Sequence, residues 1–148
     1  LLQLDDYTMP DWERIVAAIL EDLVGPKQIG TSREKAFDRF ESMTTAKRRY
    51  KIKDFDYILI HRDAGYLTDS FTDISSVELD FIAKDRSRAM WLAGEATKRI
   101  LAAPRRSWAG FYLDNAREIS GAEQQATRLD DDFEVEKAFE LHARVRWA

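Results

Sequence analysis

The sequence predicts an α+β fold: a mainly antiparallel twisted sheet of about four or five strands, with two main helices packed on one face. Three observations carry that expectation. Residues 133–147 alternate apolar and charged side chains, the period-two pattern of a strand with one buried and one wetted face. Residues 12–23 and 89–101 repeat apolar side chains at helical spacing between recognisable start and stop signals. The order helix, short helix, strand, strand, helix, strand, strand sets strands side by side in the chain, which favours antiparallel pairing.

Taken in order, Thr8 offers a cap for the first helix, Pro10 suits an early helical position, and Asp11 and Glu13 suit the positive end of the dipole. Trp12, Ile15, Val16, Ile19, Leu20 and Leu23 give it one broad apolar face, and Gly25-Pro26 ends it. Residues 27–32 read as a short strand or loop. Ser32 caps a short helix whose narrow stripe is Ala36, Phe37, Phe40 and Met43. Residues 44–54 are basic and read as a loop or extended arm.

Residues 56–62 (DYILIHR) are a β-branched and aromatic run, hence a strand. Residues 63–73 are turn-rich. In residues 74–83, Val77, Leu79, Phe81 and Ala83 face one way and Ser76, Glu78 and Asp80 the other, so a hairpin with a long tip is expected. Asp85 or Ser87 caps a third helix running to about Ala103, with Ala89, Leu92, Ala93, Ala96, Ile100 and Leu101 on its apolar face and Pro104 as its stop. Residues 107–119 read as one strand with Gly110 near its start, and residues 120–132 as a polar, acidic loop. In the final strand only Lys137 and Ala138 fall out of step. Unbroken, it would span about 50 Å. That length suits a strand reaching past its own domain to a neighbour, and so an assembly subunit rather than a catalyst.

The chain has 148 residues, enough for one domain with a core, expected to span 1–148. It is 45% hydrophobic and 34% charged, which fits a soluble globular protein. No apolar run approaches a membrane span and the N-terminus lacks the features of a signal peptide, so no membrane partner is expected. The absence of an initiator Met fits a start inside the gene product or processing. Without cysteine there are no disulfides or thiolate metal sites. The net charge of −4 argues against general nucleic-acid binding.

Motifs for chemistry are sparse. The scattered glycines form neither a phosphate-binding loop nor a dinucleotide fingerprint. Ser70, His61 and Asp73 supply the residue types of a hydrolytic triad, as most chains of this composition do; a core or edge His61 is the simpler reading. His142 is expected to be solvated or paired between Glu140 and Arg144. Asp130, Asp131 and Asp132 lack the glycine and spacing of a calcium loop and read as a solvated acidic turn. Asp69 and Asp73 with Arg62 and Asp63 read as hairpin-tip residues rather than a carboxylate pair. No cofactor is expected.

Three segments are candidates for contact with partners. Lys47, Arg48, Arg49 and Tyr50, continuing to Lys51 and Lys53, combine base and aromatic: a nucleic-acid pattern, a solvated loop, or an arm docking on an acidic neighbour. Tyr66, Leu67 and Phe71 are apolar in a polar tip, and either fold back or meet a partner. The acidic turn at residues 130–132 is the third. Core packing is the default for Trp91 and Trp108, with subunit contact second.

From Tyr57 onward the chain resembles the tail terminator (tail completion) proteins of long-tailed bacteriophages, particularly those of actinobacterial hosts. The residues that carry this are a strand ending in Arg62 with a Gly turn (HRDAGYLTD), the strand and helix of SSVELDFIAKDRSRAMWLAGEATKRIL, the acidic LDDDFEV, and the closing strand AFELHARVRW. The opening helix DWERIVAAILEDLVG fits as well. The likeness covers roughly two thirds of the chain. Residues 33–56 look like an enlargement or arm, and the family's Gly-Gly is reduced to Ala64-Gly65.

The resemblance implies a non-enzymatic virion protein, assembled in the host cytoplasm and placed at the head–tail interface. It implies a ring, usually a hexamer, that caps the head-proximal end of the tail tube, stops polymerisation and meets the head-side connector or stopper. Genome DNA would be only a passenger through its lumen. Another neck subunit, stopper or adaptor, is the neighbouring reading. A small cytoplasmic ligand-binding α+β domain is the rival from another class, and a regulatory nucleic-acid binder using residues 47–53 is a third.

Overall fold

Asp11, not Thr8, starts the first helix: its carboxylate accepts from the Arg14 amide at 3.2 Å, and Pro10 lies just outside. Thr8 belongs instead to β1 (Tyr7–Thr8), which pairs with β8 (Arg146–Trp147) at the other end of the chain. The computed structural model describes residues 7–67, 72–125 and 133–147. Helix α1 (Trp12–Ile19) is followed by a turn that buries Leu20 and Val24, and then by a 3-10 turn led by Pro26. Strand β2 (Ile29–Gly30) runs parallel to β3 (Tyr57–Leu67). A Cβ at Gly30 would meet the Tyr57 hydroxyl at 2.6 Å, so a larger residue there would have to displace that ring.

Ser32 caps α2 (Arg33–Thr45), accepting from the Lys35 amide at 3.2 Å. Strand β4 (Thr72–Ala83) returns antiparallel beside β3, and Asp85, not Ser87, caps α3 (Arg86–Ala102) at 2.8 Å. Residues 107–119 are two strands rather than one: β5 (Arg106–Trp108) turns through Ala109 and Gly110 into β6 (Phe111–Gln125). Both turn residues have positive φ, 51° and 84°, as a two-residue type I′ hairpin needs. β6 also absorbs residues 120–125, expected as loop. β7 (Phe133–Arg144) stops one residue short of β8, at Val145.

The six-stranded sheet has the order β2-β3-β4-β7-β6-β5, with β2-β3 its one parallel pair. Helix α1 touches both β2 and β5, the two ends of that order, so the sheet curls around the helices. The main core lies inside the curl. There α1 (Trp12, Ile15, Val16, Ile19) and α3 (Leu92, Ala96, Ile100) meet Ile58, Ile60, Leu79, Phe81, Phe139 and Leu141. Ala89, Ala93 and Ala96 are fully covered, which lets the α3 backbone approach the strands. Leu101, expected on this face, is exposed.

Helix α2 lies on the opposite face. Its Ala36, Phe40 and Met43 form a second core with Phe55, Tyr57, Leu59 and Ile82. Residues 57–60 are therefore covered on both sides, which is why they read as an unbroken apolar run. The expected 50 Å strand is corrected in the same way. β7 is paired to β4 from Phe133 to Arg144 and to β6 on its other edge, so its length is used within the domain and does not reach out to a neighbour.

Lys137, out of step in the sequence, points into the helical face and is satisfied there. Its Nζ donates to Thr97 Oγ1 at 2.8 Å and pairs with Glu118 Oε1 at 2.9 Å. At the far end of the same face Trp12 Nε1 donates to Asp73 Oδ2 at 2.9 Å; the carboxylate is fully buried and also accepts from Ser75 Oγ at 3.2 Å. This bond ties α1 to the β3–β4 hairpin. Trp12→Phe keeps the ring and removes the donor, leaving a buried carboxylate short of a partner, and is expected to cost about 1–3 kcal/mol in urea unfolding. An unchanged midpoint would show that the indole–carboxylate bond does not fix α1.

Candidate functional site

Residues 44–54, expected as a loop or extended arm, are anchored to the domain. Lys51 and Asp54 lock a 3-10 turn through reciprocal bonds of 2.9 and 3.0 Å, which drops Phe55 into the second core. Tyr50 packs edge-on against Phe55 at 6.2 Å, and the Arg48 guanidinium lies 5.1 Å above the Tyr50 ring while donating to its hydroxyl at 3.0 Å. Lys84 closes the stack, 4.8 Å from Phe55 and 5.5 Å from Phe40. Lys47, Arg48, Arg49, Lys51 and Lys53 are left exposed on an anchored base. Charge is segregated accordingly. Of 23 Lys and Arg and 27 Asp and Glu, residues 27–53 hold nine against three, leaving the remainder fourteen against twenty-four.

Beside this basic lobe the outer face of β4 and β7 is acidic. Arg33, from the first turn of α2, reaches Asp80 Oδ2 at 2.7 Å and grips both oxygens of Glu134 at 2.7 and 2.9 Å. One guanidinium does not neutralise this surface. Burial, reinforced by Glu134 and Glu78, pushes the Asp80 carboxyl up to about 7 against the pull of Arg33. Its Oδ1 has no hydrogen-bond partner among the described residues, which leaves that oxygen free to carry the proton. Glu78, Asp80 and Glu136 lie within 4.8 Å of one another, the one grouping among the described residues close enough to share a cation. Further along β7, Glu140 accepts from Arg117 at 2.6 Å and meets His142 Nε2 at 2.8 Å; the two hold its carboxyl down at about 2. His142 is thus paired, as its position suggested.

The triad types are not assembled. β3 presents Ile58, Ile60 and Arg62 to the helical face, so His61 is on the other, where it is exposed, while Asp73 is buried on the helical face against Trp12. Ser70 lies outside the described residues. Asp73 does receive Arg62, at 3.5 Å, and Arg62 Nε donates to Ser75 Oγ at 3.1 Å. That pairing explains structurally the Arg and Asp bracketing the turn.

Strand β3 runs further than the expected 56–62. Tyr66 and Leu67 are in β3, in register with Ile74 and Asp73, after an irregularity between Arg62 and Gly65. Phe71 and the acidic residues Asp130, Asp131 and Asp132 lie outside the described residues. Trp108 is anchored as expected, its Nε1 donating to the Ala103 carbonyl at 3.0 Å. Trp91 is not core. It stands 45% exposed with Arg88 stacked 4.1 Å over its ring. Arg88 is itself fixed by Asp56, at 3.1 Å from Nε and 2.6 Å from NH2. Nothing in the sequence marked the Asp56–Arg88 or Arg33–Asp80–Glu134 pairs, which join residues 32 to 101 positions apart.

Asp80 gives a pH test. Its raised pKa means the folded state binds more protons than the unfolded between pH 4 and 7, so its contribution to stability falls as pH rises through that window. Asp80→Asn removes the ionisation and keeps an acceptor for Arg33. Its melting temperature should gain on the parent from pH 4 to 7 and hold that gain above. A constant offset across the range would mean Asp80 is ionised throughout.

The profile of the family described as phage tail termination protein matches residues 8–146. No curated protein matches the chain. Among solved structures, a chain from the virion of a native gene transfer agent particle superposes with a TM-score of 0.57 at 12% identity, covering 88% of this chain and 95% of that one, and so shares the fold.

Proposed function

This chain belongs to the phage tail termination protein family, and we propose that its copies close into a ring, a hexamer, on the head-proximal end of the tail tube. It is a structural protein of the virion. In the proposed reading the ring ends tube polymerisation and presents a surface to the head-side connector or stopper, with genome DNA passing through the lumen. The observation that carries this is the family match over nearly the whole chain.

The geometry supports it in three ways. The described residues are taken up by one curled six-stranded sheet, the β1–β8 pair and the helices, and so offer partners preformed surfaces. Charge is divided between an anchored basic lobe and an acidic sheet face. A chain with two unlike, complementary patches forms head-to-tail contacts, which close into rings when the rotation permits. Lys47, Arg48, Arg49 and Tyr50 form the basic contact, directed at an acidic neighbour. Tyr66, Leu67 and Phe71 at the hairpin end, and Asp130, Asp131 and Asp132, are proposed contacts with ring neighbours, tube or connector.

The test is tube length. Added to polymerising cognate tube protein, this chain should halt elongation; tubes that grow as if it were absent refute the reading. Within that assay Arg48→Glu with Arg49→Glu should weaken capping at least tenfold, the loss expected when charge pairs across an interface become repulsive. The deficit should shrink as salt rises. Tyr66→Ser with Phe71→Ser should leave the melting temperature near the parent's and weaken capping. Unchanged capping would remove the hairpin end from the interface.

A further inference from the structure

One side of α3 is apolar and uncovered. Met90, Trp91 and Leu101 are 39%, 45% and 44% exposed, three of the six large apolar residues exposed among those described. Gly94, one turn on from Met90, has nothing within 4 Å of where a Cβ would be, so a shallow notch adjoins the indole. Trp91 is held rather than free: Arg88 lies on its face, and the buried Asp56 carboxylate holds Arg88. A rigid, half-exposed Trp beside Arg is the composition of an interface hot spot. Lys98 stands exposed on the same helix, in a loose surface pair with Glu95 at 3.4 Å.

Elsewhere on the chain is a cavity of complementary character. A groove of about 640 Å³ beside the end of α1 is lined by the apolar Ala17, Ala18, Val24, Pro26 and Ile29 together with Glu21 and Asp22. The two alanines are small enough to admit a ring. The groove sits where α1 ends, and the last turn of that helix has no basic residue to balance its carbonyl end. Arg99 of α3 holds Asp22 at 2.9 Å, but Met90 and Trp91 do not line the groove.

We propose that the Met90–Trp91 knob of one copy seats in the α1 groove of the next copy, with the exposed Lys98, whose 3.4 Å pair with Glu95 is at the surface, facing Glu21. The occupant is a second copy because both halves of the match, shape and charge, are on this one chain. The halves share no residue, so the contact is head-to-tail and propagates to a ring. The inference rests on the ring reading above and names one of its interfaces.

The test is sedimentation velocity of the full chain at concentrations where the parent forms rings, alone or on cognate tube ends. Trp91→Ala removes the knob and Ala17→Trp fills the groove; both sites are at the surface, and circular dichroism checks the fold. Each variant alone should lose assembly, with the association constant falling roughly 30-fold or more, as for a truncated hot spot. Mixed in equal amounts they retain one good knob and one good groove, and should stop at a dimer. Should Ala17→Trp fail to fold, Glu21→Lys serves as the groove-defective copy. Rings from both variants, or a mixture that stays monomeric, overturn this contact and leave the ring reading standing. A parent that is monomeric under every condition, tube ends included, overturns both.

Discussion

Strand β7 is hydrogen-bonded along both edges, to β4 and to β6, and its side chains alternate between two different environments. Val135, Phe139, Leu141 and Ala143 are sealed against α1 and α3, while Glu134, Glu136 and Glu140 line the other face. A slip of one residue would exchange the two sets, placing carboxylates in the helical core. The register of the whole sheet follows from that penalty. So does the placement of Lys137, the cation on the core side of β7, which is tolerated because Thr97 and Glu118 complete its bonds.

The outer face shows the opposite economy. Asp80 and Glu134 are as buried as core residues yet are covered by a helix whose first residue is their cation. An ion pair of this kind adds little net stability, since desolvation offsets attraction. What it supplies is position: α2 fits over the β4–β7 carboxylates only with Arg33 above them. Asp56 with Arg88 does the same for the start of α3 and for Trp91. Buried pairs thus set where the basic lobe and the exposed indole sit, and those are the features that distinguish one surface of the domain from another.

Much of the fold was legible in local chemistry. The Ser32 and Asp85 caps and the two-faced strands each depend on a few adjacent residues; the Gly25-Pro26 stop does not hold, since α1 ends at Ile19 with Leu20 as its cap and Gly25 is extended ahead of the 3-10 turn. What depended on distant partners was not legible. The 107–119 segment hid a hairpin because Ala109, an unusual residue at positive φ, shares the turn with Gly110. The face chosen by α2 was written in the apolar run at residues 57–60 and in Ile82 on the polar side of β4, but needed the second core to be recognised. Of the contact candidates, the residues 47–50 segment was visible by charge, though its anchoring through Asp54 and Phe55 was not. Trp91 sits one position from a core helix face, and only the Arg88 stack shows which side it takes.

The chain is a phage tail termination protein by family, and in the proposed reading it is a subunit that acts by contacts with copies of itself. That claim is tested most directly by the mass of the purified chain in solution, by light scattering over a concentration series, alone and with cognate tail-tube protein. The account predicts a closed ring of about six subunits, or a monomer that becomes one on tube ends. A monomer independent of concentration that ignores tube ends would contradict it.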